Sequence, residues 1–351
     1  MRIIKIIKLL FVAAFSVAAF TNAHAQDSIA QFYRGKTVTI YIGSTSGGGF
    51  DTYARLLARF MGRYIAGAPT VVPSNMPGAG SHLVANYIYN VAPKDGTAIG
   101  AIFPNVILDA VLGDRAQEKS DPSKFNYIGS GARDTYICIV RADAQIKNFA
   151  DLFNHELVVG ATAGGGSTRD YPLMLNALLG THFKVISGYP GTREILLALE
   201  KNEVAGACGT AWSSMTQQRP DWFKNGTMNV LVQESSLGLP ELFTRGAPLA
   251  TSFAKTAEQK QILDLVYAQQ LFGRPYVVAP DVMPERVKAL RDAFMATWAD
   301  AELQTEAQKM MLDISPSNGQ EIQNVVTQMF ETPQNIIDKT KAAIAGEKVG
   351  P

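Results

Sequence analysis

Along the chain, short runs of alternating or continuous apolar residues give way repeatedly to apolar residues at helical spacing. Thr37 to Ile42 is β-branched and aromatic with alternating character, and so predicts a strand. From Asp51 the positions Ala54, Leu57, Ala58 and Met61 recur at helical spacing, with Arg55, Arg59 and Arg63 on another face. Between them, Gly43 to Gly49 holds only glycine, serine and threonine. The same unit returns twice. Pro69 to Pro73 predicts a strand, Ser74 to Ser81 a Gly/Pro loop and His82 to Asn90 a helix. Thr97 to Phe103 predicts a strand, which ends in Pro104 and Asn105 before the helix Val106 to Leu112. Strand, loop and helix in repetition mark a parallel sheet with helices on its faces.

Asp114 to Lys124 is polar and reads as a surface connection. Strands follow at Tyr127 to Gly131 and Tyr136 to Val140, and then the alternation restarts. Glu156 to Gly160 is a strand, Ala161 to Thr168 a glycine loop and Asp170 to Leu179 a helix. Phe183 to Ile186 is a strand, Gly188 to Gly191 a loop and Thr192 to Lys201 a helix. Val204 to Gly209 and Val230 to Gln233 complete a second α/β unit. From Lys255 one strand, Arg274 to Ala279, stands among helices that run to the end. These are expected to return and cover the first unit.

The N-terminus does not fit this pattern. Arg2, Lys5 and Lys8 precede an apolar run from Leu9 to Phe20, and Ala23, His24 and Ala25 form a small-x-small cleavage site before Gln26. This is the layout of a secretory signal peptide, cleaved after Ala25. No later stretch reaches the ~20 apolar residues of a membrane span. An exported, periplasmic chain is therefore expected. Of 351 residues, 47% are apolar and 18% charged, with 32 basic against 31 acidic side chains. Loss of residues 1–25 removes three basic residues and leaves a net charge of −2. Neither that balance nor any basic cluster suits a nucleic-acid partner. Cys138 and Cys208 are the only cysteines. Export favours pairing them, while their apolar settings suit buried free thiols, and both readings stand.

The candidate chemistry is binding rather than catalysis. No nucleophile elbow is present, since Gly43 to Gly47 places its serines in a flexible loop with no obvious base, and no Gly-Lys-Ser/Thr follows the glycines as a nucleotide loop requires. Gly78 and Gly80 begin a dinucleotide fingerprint that Leu83 breaks. No metal-ligand spacing is present, so neither metal, cofactor nor catalytic residue is expected. What recurs is a glycine loop before a helix N-terminus, once in each unit. Such a loop brings backbone N–H groups and the positive end of a helix to an anion. Two of them facing across a cleft would hold a carboxylate mostly with backbone.

Several segments together are similar to one family. They are Phe32, Tyr33, Gly35 and Lys36 before the first strand; Gly47 to Asp51 with Tyr53 and Arg55; Asn75 to Gly80; and Ala92 to Thr97. Gly164 to Ser167, Gly188 to Gly191 and Val277 to Pro280 follow in the same order. In these the chain resembles the Bug-type extracytoplasmic solute-binding receptors of tripartite tricarboxylate transporters, over essentially the whole mature length. The resemblance implies a type II periplasmic-binding-protein fold: two doubly wound α/β lobes with a hinge and a ligand cleft between them. Domain 1 would be residues 26–132 plus 233–351, and domain 2 residues 133–232. It also implies a di- or aromatic carboxylate ligand, integral-membrane transporter subunits as partners, and a monomer. The alternatives are an exported enzyme on the same scaffold and a sensory receptor that feeds a signalling partner.

By the same resemblance the ligand lies between the loop after the first strand, the Pro-Gly-Ala-Gly loop and the loops of the second unit. On this chain the candidates are Ser44, Thr45, Ser46, Gly47 and Gly48; Asn75, Gly78, Ala79 and Gly80; Asn105; Gly165, Gly166, Ser167, Thr168 and Arg169; and Tyr189 and Trp212. The hydroxyls of Ser44, Thr45 and Ser46 replace the prolines usual in the first loop and add donors. Arg169 either forks onto a second carboxylate or is a solvated residue at a helix start. Trp212 either lines the cleft or fills core, and Tyr189 is expected to face the cleft. Asp51 is expected to cap its helix rather than to touch an anion.

Overall fold

The computed structural model describes residues 27–113, 119–162 and 166–349; the expected signal peptide and Gly165 lie outside the described residues. In chain order the first strands and helices are β1 (Thr37–Ile42), α1 (Gly49–Met61), β2 (Thr70–Asn75), α2 (His82–Asn90), β3 (Ala98–Ala101), α3 (Asn105–Leu112) and β4 (Asn126–Ser130). There follow β5 (Tyr136–Arg141), β6 (Leu157–Ala161), α4 (Ser167–Leu179), β7 (Phe183–Ser187), α5 (Thr192–Glu200), β8 (Gly206–Ala211) and β9 (Met228–Glu234). The C-terminal part holds α6 (Ala257–Tyr267), β10 (Pro275–Val278), α7 (Pro284–Trp298), α8 (Ala301–Lys309), β11 (Ser317–Asn318), α9 (Gly319–Phe330) and α10 (Gln334–Ile344).

Two sheets result. The first has the order β11-β4-β10-β3-β1-β2, with β1 parallel to both β2 and β3 and with β10 antiparallel to β3 and β4. Val38, Ile40 and Ile42 are fully buried, as the alternation in β1 requires. Pro73 sits in β2, an edge strand, where its missing N–H interrupts no ladder. The second sheet has the order β7-β6-β8-β5-β9, with β6 parallel to β7 and β8 and with β5 antiparallel to β8 and β9. The expected mixed α/β architecture of two units is thus present.

Each sheet carries apolar side chains on both faces. Leu290, Phe294 and Trp298 of α7 and Leu303 of α8 cover one face of the first sheet, with Leu56, Leu57 and Phe60 of α1. Ile322 and Val326 of α9 join the cluster on the other face. The apolar stripe of α6 goes elsewhere. Its Ile262, Leu263, Val266 and Tyr267 pack in the core of the second sheet, and Ile336 and Ala343 of α10 join them. That core also contains Cys138 and Cys208, which form a disulfide between β5 and β8. Of the two readings of the cysteines, pairing is the one realised.

The chain passes between the sheets from β4 to β5 and again through 268–274, from α6 to β10. Gln270 ties these crossings together, as its Oε1 accepts the Tyr136 N–H at 3.1 Å and its Nε2 donates to the Glu234 carbonyl at 2.5 Å.

Candidate functional site

A cavity of about 730 Å³ opens where the loops of the two sheets meet. Phe50, Phe103, Pro104, Asn105 and Leu108 line it from the first sheet's side, and Tyr136, Ser167, Arg169 and Tyr171 from the second. Asp134, Gln270, Gly273 and Arg274 come from the crossings, and Lys341 and Ile344 from α10.

Arg274 is its most distinctive member. It stands between Gly273 and Pro275, directly before β10. Its guanidinium lies 4.3 Å from the centroid of the Phe50 ring and 5.4 Å from that of Tyr53. The Phe50 ring in turn packs 4.1 Å from Phe103. One guanidinium nitrogen, Nη1, donates to the Gly273 carbonyl at 2.7 Å. Nε is buried and has no acceptor. Among the described residues no carboxylate forms an ion pair with Arg274. Asp134 lies close enough to feel its charge, yet its carboxylate bonds elsewhere, accepting from the Thr135 N–H at 3.0 Å and the Ser213 hydroxyl at 2.9 Å. Burial pushes the Asp134 carboxyl up, against the pull of Arg274 and these two donors.

The first glycine loop is organised around Asp51. Because α1 begins at Gly49 with Gly48 as its cap residue, Asp51 falls inside the first turn and does not act as the cap. Instead it accepts from the Gly47 N–H at 2.8 Å, from Arg55 Nε and from Asn75 Nδ2 at 2.8 Å. Burial opposes the Asp51 charge, but the hydrogen bonds from Arg55, Gly47 and Asn75 outweigh it and hold its pKa at about 2. Asn75 also donates to the Ser44 carbonyl at 3.0 Å and accepts from Arg55 at 2.6 Å, so its amide is occupied within the loop.

Gly78, Ala79, Gly80 and Ser81 all have positive φ, a left-handed run that turns this loop back against the first. A β-carbon at Gly43 would collide with the Ser81 hydroxyl, so glycine is required there for the two loops to touch. Ser81 Oγ and Ser44 Oγ are both buried without a hydrogen-bond partner.

In the second lobe Gly166 is the cap residue of α4. Ser167 Oγ donates to the Gly209 carbonyl at 2.7 Å, and Thr168 Oγ1 accepts the Thr162 N–H at 3.0 Å. Arg169 lines the cavity but already has a carboxylate, Asp170 Oδ1, at 3.0 Å.

Of the expected residues, the cavity wall brings together Asn105, Ser167 and Arg169. Thr45, Ser46, Gly47 and Gly48 are exposed on the loop before α1, and Ser46 donates to Asp51 at 3.4 Å. Gly80 meets Asn105 through its carbonyl at 3.4 Å. Tyr189 and Trp212 pack with Ile195 and Leu196 of the second unit and are not part of the cavity wall. Trp212 Nε1 donates to Glu241 at 2.5 Å, and its ring meets Phe223 edge-on. Arg274, Phe50, Phe103 and Asp134 line the cavity beyond the residues expected from the sequence. The available signals were an arginine held between glycine and proline at the mouth of a buried strand, and aromatics directly after a glycine loop and at a strand end.

No family model matches the chain. A curated protein of Agrobacterium vitis, described as "UPF0065 protein in the TAR-I ttuE-ttuC' intergenic region", is 28% identical over 211 residues, which is 56% of this chain and 56% of that protein. The chain thus matches about half the length of this curated relative. Among solved structures, a TctC solute-binding protein from Polaromonas, without ligand, aligns with a TM-score of 0.68 at 16% identity, covering 88% of this chain and 99% of the other. The periplasmic binding protein BugD aligns with a TM-score of 0.60 at 20% identity, covering 90% and 100%. The Rpa4515 protein of R. palustris, solved with adipate, aligns with a TM-score of 0.60 at 18% identity, covering 87% and 97%. The fold of this chain is therefore that of the TctC/Bug-type periplasmic binding proteins, the group to which the sequence motifs pointed.

Proposed function

We propose that this chain is an exported receptor that captures a small organic carboxylate between two lobes and delivers it to the membrane subunits of a tripartite tricarboxylate-type transporter. In this reading residues 26–132 and 133–232 supply the two lobes, and residues 233–351 return mainly to the first while α6 and α10 pack on the second; the mature protein works in the periplasm after cleavage behind Ala25. One observation carries the reading. Arg274 presents a guanidinium without a carboxylate partner, its Nε buried and unbonded, to a cavity of about 730 Å³. A partly buried cation without an ion-paired carboxylate is costly, and its planar fork of donors matches a carboxylate better than any neutral solute. Phe50, Phe103, Leu108 and Ile344 offer the apolar remainder of the cavity to a carbon skeleton. Arg169 and Lys341 stand on the same wall for a second carboxylate, and the adipate complex of a structural neighbour supports a diacid.

Capture needs no bond to be made or broken, only hinge closure over the anion, which removes water and strengthens each charged contact. Thermal-shift measurements with benzoate, hexanoate, malate and adipate test the proposal. At least one acid raises the melting temperature in a concentration-dependent way, by mass action on the native state. Stabilisation by neutral sugars or cations alone would sink it.

A further inference from the structure

Glu234 is the last residue of β9, where the chain leaves the second sheet, and its side chain is fully buried. Oε2 accepts the Gly209 N–H at 2.6 Å, whereas Oε1 is buried without any partner. The groups packed around it are uncharged. Tyr136 stands opposite it on β5, Tyr171 comes from α4 and Tyr267 from α6; burial pushes all three phenols up, so they keep their protons. The Tyr267 hydroxyl is itself buried and unpartnered. Gln270 fills the side facing the crossing. The nearest charges act on these tyrosines: Asp264 on Tyr267, and Asp134 and Arg274 on Tyr136. Among the described residues no Lys, Arg or His forms an ion pair with Glu234. Burial raises the Glu234 pKa to about 8, against the single pull of the Gly209 N–H.

Gly209 connects this carboxyl to the cavity. Its φ is +62°, its N–H bonds Glu234 and its carbonyl accepts the Ser167 hydroxyl. It packs so closely that a β-carbon there would collide with the Ser167 carbonyl. Ser167 and Tyr171 line the cavity, so Glu234 lies one residue behind its wall, at the N-terminal end of α4.

We propose that Glu234 is kept as a neutral acid that holds Gly209 and the first turn of α4 as an anion-receptive wall, so that capture of a carboxylate is tied to the proton on Glu234. The inference rests on the reading of the cavity as a carboxylate site. As a neutral acid, Glu234 adds no negative charge beside the incoming anion. Once ionised, it is a like charge that competes for the positive end of α4. By linkage, the bound anion in turn strengthens the hold of Glu234 on its proton.

Two measurements on the full mature chain test this. The first needs no ligand: the Gly209 amide resonance, whose N–H bonds Oε2, is followed from pH 5 to 10. A titration midpoint near 8 is expected; a Gly209 shift that is complete below pH 6 overturns the proposal. The second takes the tightest binder among benzoate, hexanoate, malate and adipate and measures its Kd at pH 7 and 9. Affinity is expected to weaken by up to about tenfold, the fall in the fraction of competent protein. Glu234→Gln, which keeps an acceptor for Gly209, is expected to remove that dependence. A wild-type Kd that is equal at both pH values overturns the coupling alone. Failure of every acid to bind at either pH overturns the receptor reading and the coupling with it, whatever the Gly209 titration shows. If Glu234→Gln does not fold, the wild-type amide titration and Kd profile still decide.

Discussion

The guanidinium of Arg274 lies 4.3 Å from the centroid of the Phe50 ring, two residues far apart in sequence that meet at the floor of the cavity. The ring holds the guanidinium from one side, while Nη1 is bonded to the Gly273 carbonyl. Replacing Arg274 with alanine is expected to weaken binding of any carboxylate by about 1.5–3 kcal/mol, the worth of hydrogen bonds to a charged group. Isothermal titration of the parent and variant checks this. Arg274→Lys is expected to restore little, because an ammonium neither forks onto a carboxylate nor stacks on Phe50. Full rescue by lysine would mean that only charge matters at this position.

Arg169 offers a finer test. It lines the same cavity, but its charge is already shared with Asp170 at 3.0 Å. A second ligand carboxylate would have to compete with that pair, so the effect is modest. Arg169→Ala is expected to raise the Kd of adipate by a few-fold, roughly 0.5–1.5 kcal/mol, and that of hexanoate less. Equal losses for the two acids would remove Arg169 from contact with a second carboxylate.

These two arginines also show what the sequence could convey. Arg169 follows a glycine loop at a helix start, a local signal. Arg274 gains its role only when β10 returns beside β3 and brings it to Phe50, a non-local event without a periodic trace. Strand β1 was legible because one buried face imposes alternation on Val38, Ile40 and Ile42. Strand β11 is two polar residues, Ser317 and Asn318, defined solely by pairing with β4. The stripe on α6 announced that the helix packs, but Leu263 and Tyr267 do not say against which sheet. The apolar spacing places Asp51 at the cap position, whereas the helix starts earlier, at Gly49.

The Asp51 network gives a stability prediction with a defined pH window. The folded-state pKa of about 2 lies below the ordinary 3.8, so the carboxylate stabilises the fold above pH 3.8 and that contribution is lost as pH falls toward 2. Asp51 is almost fully buried, and the shift corresponds to about 2 kcal/mol. Asp51→Asn is therefore expected to destabilise by about 2 kcal/mol at pH 7 in urea denaturation, and by progressively less between pH 4 and 2. A penalty that stays constant over that range would show that the carboxylate charge is not what holds the loop.

The disulfide joins residues 70 apart in sequence and sits in the core shared by β5, β8 and α6. Closing a loop of that length lowers the entropy of the unfolded chain by about 4 kcal/mol in the chain-entropy account. The double variant Cys138→Ser, Cys208→Ser also buries two hydroxyls where sulfur was, which adds to the loss. A fall of several kcal/mol in the unfolding free energy is expected, read from the urea midpoint. An unchanged midpoint would show that the bridge adds nothing to the fold.

Glu234 predicts the opposite pH trend from Asp51. Its folded-state pKa of about 8 lies above the ordinary 4.5, because burial penalises its charged form. Between those values the native state keeps a proton that the unfolded chain has released. Stability from this group is therefore full below about pH 4.5 and declines by about 1.4 kcal/mol per pH unit until the native carboxyl ionises near 8. Glu234→Gln carries no such proton and lacks that decline. Measured by urea denaturation from pH 5 to 9, the variant is expected to gain on the parent steadily up to about pH 8 and then to run parallel to it. Curves that are parallel from pH 5 onward would mean that Glu234 is ionised in the folded protein. In that case an unseen donor would have to satisfy Oε1, and the wall behind Ser167 would carry a negative charge at neutral pH.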